Sequence, residues 1–136
     1  MPHPDITTIA DIVRVHAADR PEAVALVLGK HTITFAELDS RSSRAAQAFS
    51  AAGVGFGDRV AFIDKNGAEF FEVVCGLAKL GAVGVPVNWR LTAPEMLHIV
   101  VDAQAKVVVV GEEFFGHVEA IEAYRTGDVP PEFNTP

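Results

Sequence analysis

Cysteine is almost missing from this chain: Cys75 stands alone, so no internal disulfide framework can form, and a single thiol fits a reducing compartment. No apolar run approaches the roughly 20 residues that a membrane-crossing helix needs. The opening Met1-Pro2-His3-Pro4-Asp5 lacks the cationic start and apolar stretch of a secretory signal. The expected location is therefore cytoplasmic, with no integral membrane segment. Blocks of basic residues are absent too. With a net charge of −7, the summed field repels nucleic acid and anionic membranes, which excludes a nucleic-acid partner. The five histidines, at positions 3, 16, 31, 98 and 117, include no i, i+4 pair and have no partner cysteines, so no metal site is expected. Ser40, Ser42, Ser43 and Ser50 all fall on one predicted helix, and none sits in a strand–turn–helix elbow. No catalytic constellation is legible.

What is present is globular: 49% hydrophobic and 21% charged residues in 136, enough for one domain with a real core. An amphipathic helix is predicted over about 6–18, with Ile6, Ile9, Ile12, Val13 and His16 on one side, stopped by Pro21. A strand over 23–28, a Gly29-Lys30 turn and a strand over 31–34 form a small hairpin. Thr34 and Glu37 are spaced as a capping box for a helix with the stripe Leu38, Ala45, Ala48, Phe49 and Ala52, closed at Gly53. Then the pattern turns regular. A strand over 59–63 leads to a helix from an Asn66 cap to Leu80, and a strand over 82–87 leads to a helix capped at Thr92. Val107–Val110 is a β-branched run of the kind buried on both faces of a parallel sheet, and a last helix covers 113–124. Strand–helix–strand–helix–strand implies right-handed crossovers and a parallel α/β sheet over residues 1–125, with a linker-like tail over 126–136. The 66–80 helix is apolar around most of its circumference, more than so small a sheet can cover.

Two places invite a ligand. Gly53–Gly57 is rich in glycine, but it runs from helix to strand and so offers a helix C-terminus, which repels phosphate. The carboxyl ends of parallel strands are the better place. Lys65 and Asn66 follow the first parallel strand, and Asn88, Trp89 and Arg90 follow the second, where they could meet an anionic substrate or nucleotide group. Each also has a structural explanation: Asn66 as a cap, Trp89 as a core plug, Arg90 as a partner for a carboxylate. Cys75, between Val74 and Gly76 on the apolar helix, reads as a small hydrophobe rather than a nucleophile.

Four stretches, taken in order, resemble one family. Thr32–Leu38 is similar to the TY-x-EL opening of the AMP-forming acyl-CoA synthetases, the group that also holds luciferases and adenylation domains. Gly53-Val54 with Gly57–Ala61 is similar to its GV-x-x-GDRVA turn and strand, Asn66–Phe70 to N-x-x-EF, and Ala78–Leu91 to KLGAV-x-VP-x-N-x-RL. The resemblance runs from about Ile9 to Val110. It implies the partial N-terminal α/β domain of the adenylate-forming fold. The parent it implies activates a fatty or related carboxylic acid with ATP and Mg to an acyl-adenylate, and then forms a thioester with coenzyme A. The matched motifs are scaffold. The family's Ser/Thr- and Gly-rich loop ending in Pro-Lys-Gly is not among these 136 residues, nor are its adenine, magnesium and catalytic-lysine motifs. No catalytic residue and no cofactor site therefore carries over to this chain. The expected partners are the remainder of the synthetase and a second copy of the chain, through the surface a truncated domain leaves exposed. Two other readings stay open: a free-standing α/β module binding an anion or protein at the Lys65/Arg90 edge, and the front of a peptide-synthetase adenylation domain.

Overall fold

A computed structural model describes residues 3–127. The elements in chain order are α1 (Ile9–Asp19), β1 (Val24–Leu28), β2 (His31–Thr34), α2 (Phe35–Ala51), β3 (Arg59–Ile63), α3 (Ala68–Leu80), β4 (Val83–Val87), α4 (Ala93–Asp102), β5 (Val107–Val110), a 3-10 turn at Glu112–Phe114, and α5 (Phe115–Thr126). They fall into two compact units. One comprises the residues up to Asp58 together with Asn66–Gly84, and the other Arg59–Lys65 together with the residues from Val85 onward.

In the first unit, Thr8 rather than Ile6 starts α1. Its hydroxyl accepts the Asp11 N–H, while the Asp11 carboxylate accepts the N–H groups of Thr7 at 3.1 Å and Thr8 at 2.9 Å. The Arg14 guanidinium beside Asp11, followed by these bonds, holds its carboxyl well below the usual range. The predicted stripe is corrected here. Val13 and Val15 are the buried residues of α1, whereas Ile9 and Ile12 are exposed, because the face that packs on α2 and α3 centres on Val13. The hairpin is as predicted: β1 and β2 pair antiparallel, with Leu26 opposite Ile33 and Leu28 opposite His31, and Gly29 turns at φ +61°. Val13, Ile33, Leu38 and Cys75 form the core.

The Thr34–Glu37 capping box opens α2. Its buried positions are Leu38, Ser42, Ala46 and Phe49, so the expected Ala48 and Ala52 are wrong and both are exposed. What selects this face is closeness rather than apolarity. A Cβ on Gly76 of α3 would lie 2.9 Å from the Ser42 carbonyl oxygen and 3.0 Å from the Ala45 Cβ, so small residues must line the contact. The buried Ser42 hydroxyl is satisfied by donating to the Asp39 carbonyl at 3.1 Å. Lys79 of α3 joins the two helices a second time, its ammonium reaching Asp39 Oδ1 at 2.6 Å and Ser43 Oγ at 2.7 Å. Beyond α2, Gly53 turns at φ +88°, and Val54 N–H donates to the Phe49 carbonyl, a Schellman end that buries Val54. The cap of α3 is Gly67, with no side-chain bond, so Asn66 is not the cap predicted for it. Only Cys75, Gly76 and Leu77 of α3 are buried, and its other apolar side chains are half-buried or, like Phe71, exposed.

The second unit is built on a parallel three-stranded sheet of order β4-β3-β5. In it Val60 pairs with Val107 and Ile63 with Val110. This order corrects one expectation. β5 is an edge of this sheet, with Val108 38% exposed, and the strand with four consecutive buried residues is the central β3. Ala61, Ile63, Val87, Met96 and Phe114 form its core. Arg59 fastens the turn into β5: its Nε donates to the Ala103 carbonyl at 2.7 Å, and its carbonyl accepts the Lys106 N–H at 2.8 Å. Glu95 reaches back to the Thr92 N–H at 2.8 Å, which holds its carboxyl below the usual range and opens α4. α5 begins after the 3-10 turn and runs to Thr126. All but the start of the predicted tail, residues 128–136, lies outside the described residues. No described helix is long and apolar enough to cross a membrane.

Candidate functional site

In a parallel sheet all strands end on the same edge, and the second unit brings three such ends together: Asp64-Lys65 after β3, Asn88-Trp89-Arg90 after β4, and Gly111-Glu112-Glu113 after β5. Backbone packing there is tight. A Cβ on Gly111 would lie 2.2 Å from the Asp64 carboxyl carbon, so β5 leaves the sheet against that side chain only because position 111 is glycine. The Asp64 carboxylate also accepts the Lys65 N–H at 2.8 Å.

Trp89 is the centre of the arrangement. Half-buried, it packs against Phe114 with ring centroids 5.5 Å apart. The Lys65 ammonium lies 5.2 Å from its ring centroid and the Arg90 guanidinium carbon 4.8 Å. The two cations differ in their other partners. Lys65 makes a 2.8 Å ion pair with Glu113, whereas no carboxylate among the described residues pairs with Arg90. The Asn88 side chain accepts the Arg90 N–H at 3.0 Å, closing the turn that carries the guanidinium.

Of the five residues the sequence singles out, the structure groups Lys65, Asn88, Trp89 and Arg90. Asn66 is exposed and belongs to the other unit. The core-plug explanation for Trp89 holds in part, since the half-buried ring packs against the core, but the carboxylate partner proposed for Arg90 is absent among the described residues. Sequence reading passed over Glu113 and Phe114 by assigning them to a helix start. The third strand end was the available signal, because the rule that singled out the loops after β3 and β4 applies equally to β5.

The glycine-rich loop offers no anion site. It follows the C-terminus of α2, and its Gly55 N–H is already taken by the Asp58 carboxylate at 2.8 Å. Cys75 is buried, and burial pushes its thiol pKa up, away from nucleophilic chemistry. His16 packs on Phe35 and His117 on Phe114. Among the described residues no group of three or more His, Cys, Asp or Glu side chains is placed to hold a metal ion.

Comparison with known proteins adds four findings. The model of the family described as "AMP-binding enzyme" matches residues 13–132. The fatty acid–[acyl-carrier-protein] ligase ScoC of Streptomyces coeruleorubidus is 39% identical over 130 residues, covering 96% of this chain and 24% of that protein. Feruloyl-CoA synthase of an Amycolatopsis species is 39% identical over 110 residues, covering 81% of this chain and 22% of that protein. Among solved structures, the inhibitor-bound N-terminal domain of FACL13 from Mycobacterium tuberculosis superposes with a TM-score of 0.82 at 37% identity, over 87% of this chain and 30% of that one. The chain thus spans about a quarter of the length of the curated relatives it matches.

Proposed function

The chain belongs to the AMP-binding enzyme family, and from that premise we propose that it is the opening α/β portion of an AMP-forming acid–thiol ligase. The activity belongs to the whole ligase. Its acid, fatty or of a related kind, attacks the α-phosphorus of ATP through a carboxylate oxygen, pyrophosphate leaves, and the acyl group of the resulting adenylate passes to a thiol as AMP departs. Coenzyme A is the acceptor in this reading. An acyl carrier protein is a second acceptor, favoured because the relative that covers 96% of the chain carries that name. The observation that carries the ligase reading over a free-standing binding module is the family match across residues 13–132.

What these residues contribute is scaffold. No loop of the phosphate-holding kind occurs in the 136 residues, and the described residues offer no cluster fit for a divalent cation, so ATP and Mg are assigned to later segments of the ligase. The strand-end loops with Lys65, Asn88, Trp89 and Arg90 form the ligand-facing edge of the second unit in this reading, on the general rule for parallel sheets. A lone buried cysteine supports a cytoplasmic setting. Expressed alone, the chain also pairs with a second copy of itself, because Val108 on the edge strand and Phe115 and Val118 on α5 expose 38%, 59% and 46% of their surface.

The test is acid-dependent ATP–pyrophosphate exchange. The 136 residues alone are expected to give none. The same residues, substituted for the matching opening segment of ScoC, are expected to give exchange with a fatty acid. A chimera that unfolds cooperatively yet shows no exchange with fatty, aromatic or amino acids refutes the reading, as does exchange by the short chain alone.

A further inference from the structure

We infer that the chain pairs with a second copy of itself through one particular edge, the outer side of β5, and that the two β5 strands run antiparallel about a two-fold axis at Val109. The inference deepens the self-pairing proposed above and rests on it. A sheet of order β4-β3-β5 has two outer strands, and the open side of each meets no described strand. The two edges are not alike. In β4 the Val83 N–H donates to the Asp58 carbonyl at 2.8 Å, on the side of β3. N–H groups alternate in direction along a strand, so those of positions 84 and 86 face outward, and position 86 is an exposed proline. A strand approaching β4 therefore finds a donor missing, which is how natural sheets blunt an edge. β5 has no such block. The Gly111 N–H donates to the Ile63 carbonyl at 2.9 Å, so by the same alternation the N–H groups of Val108 and Val110 face outward, while the Lys106 N–H belongs to the turn before the strand. Val107–Val110 carries neither proline nor charge, and Val108 is exposed.

The edge is complementary to itself in one orientation. Centring an antiparallel pair on Val109 sets Val108 of each copy opposite Val110 of the other, where the two exchange N–H and C=O groups and valine meets valine. The same register carries the exposed Lys106, just before the strand, opposite the exposed Glu112, just after it, once at each end of the pair. Opposite charges placed across strands in this way are stabilising, and like charges are not. A parallel pairing would set Lys106 beside Lys106 and would leave a head-to-tail contact that does not close. The antiparallel pair satisfies both backbones and both charges within a dimer.

The experiment is sedimentation equilibrium of the 136-residue chain at low salt across a wide range of concentration. A concentration-dependent monomer–dimer equilibrium is expected. Val108→Lys, which puts a charge on the open edge, is expected to abolish the dimer. Lys106→Glu and Glu112→Lys are each expected to weaken it about tenfold, since each sets like charges opposite one another at both ends. Carrying both reversals in one chain restores the pairing. Lys30→Glu makes the same change in net charge at an exposed lysine of the β1–β2 turn and leaves the dimer as it was. Urea unfolding of each variant separates lost pairing from lost structure. The inference is overturned if the chain stays monomeric, if Val108→Lys pairs as the parent does, or if the double reversal is no tighter than the single ones. A monomer removes the self-pairing as well, whereas a dimer indifferent to Val108→Lys keeps the self-pairing and removes only its assignment to β5. Exchange by the ScoC chimera is read separately, so none of these outcomes touches the ligase reading.

Discussion

Gly76 offers a prediction whose sign is decided by two opposed effects of similar size. Replacing a helix-interior glycine by alanine ordinarily stabilises a protein by about 0.5–1 kcal/mol, since alanine loses less backbone freedom on folding. At Gly76 the added methyl would stand 2.9 Å from the Ser42 carbonyl oxygen, 3.0 Å from the Ala45 Cβ and 3.1 Å from the Ala46 nitrogen. Two of these atoms are helix backbone, which cannot rotate away as a side chain can. Relief requires α3 to back off α2, and overpacking of this kind costs about 1–3 kcal/mol. The cost therefore wins, and Gly76→Ala is expected to destabilise by about 1–2 kcal/mol. With a urea slope of about 2 kcal/mol per molar, the midpoint falls by roughly 0.5–1 M. Gly116 of α5 is the matched control, because a Cβ there meets nothing within 4 Å. Gly116→Ala is expected to raise stability by about 0.5 kcal/mol. Urea unfolding followed by far-ultraviolet circular dichroism gives the midpoints. Hydrogen exchange resolved to α2, α3 and α5 assigns each change to its helix. If Gly76→Ala stabilises as Gly116→Ala does, the close approach of α2 and α3 is wrong, and with it the account of why Ser42 and Ala46 face inward.

Asp11 supplies a pH prediction: its folded carboxyl sits below the usual range, so its stabilising contribution is complete above the unfolded value near 4 and is lost progressively as pH falls from there toward the lower folded value. The urea midpoint should decline as pH drops from about 5 to 2, and Asp11→Asn should flatten that decline while lowering the midpoint at pH 7. An unchanged pH slope in the variant would refute the capping role. Lys79→Met strips Asp39 and Ser43 of their shared cation and should destabilise by about 1 kcal/mol, a value discounted for the partial exposure of Asp39. Restoration of the urea midpoint by also replacing Asp39 with Asn would attribute the loss to the stranded carboxylate. Cys75 should react with an aromatic disulfide at least 100-fold more slowly in the native chain than in 8 M urea, on the order expected for a buried thiol of raised pKa. Comparable rates would mean that α3 is not packed as described.

Most of the fold was legible because local signals and tertiary structure agree. Thr34 with Glu37, Thr92 with Glu95, and the glycines at 53 and 81 mark helix ends through backbone chemistry that acts within a few residues. The choice of buried face was right at Val13, Leu38 and Phe49 and failed at the flanking positions. Ser42 is polar and fully buried, whereas Ile9 is apolar and 60% exposed, and both follow from where a distant helix happens to pack. β5 failed for a related reason: four valines promise burial on two faces, but strand order made β3 the centre. At the candidate site the loops after β3 and β4 were legible from topology alone. That Lys65 is paired with Glu113 and Arg90 is not depends on the third strand end, more than twenty residues further along the chain.

The interleaving of the two units bears on how such a segment can be inherited and engineered. The chain passes between them after Asp58, after Lys65 and again after Gly84. No single cut therefore releases either unit whole. A break at 58 strands α3 away from α2, and a break at 84 leaves β3 on the far side of the junction from Trp89. Recombination that exchanges one unit between relatives must cross over at several points at once, so the two are expected to have descended together as a single cassette. Laboratory shuffling should succeed only when its junctions lie outside this stretch altogether.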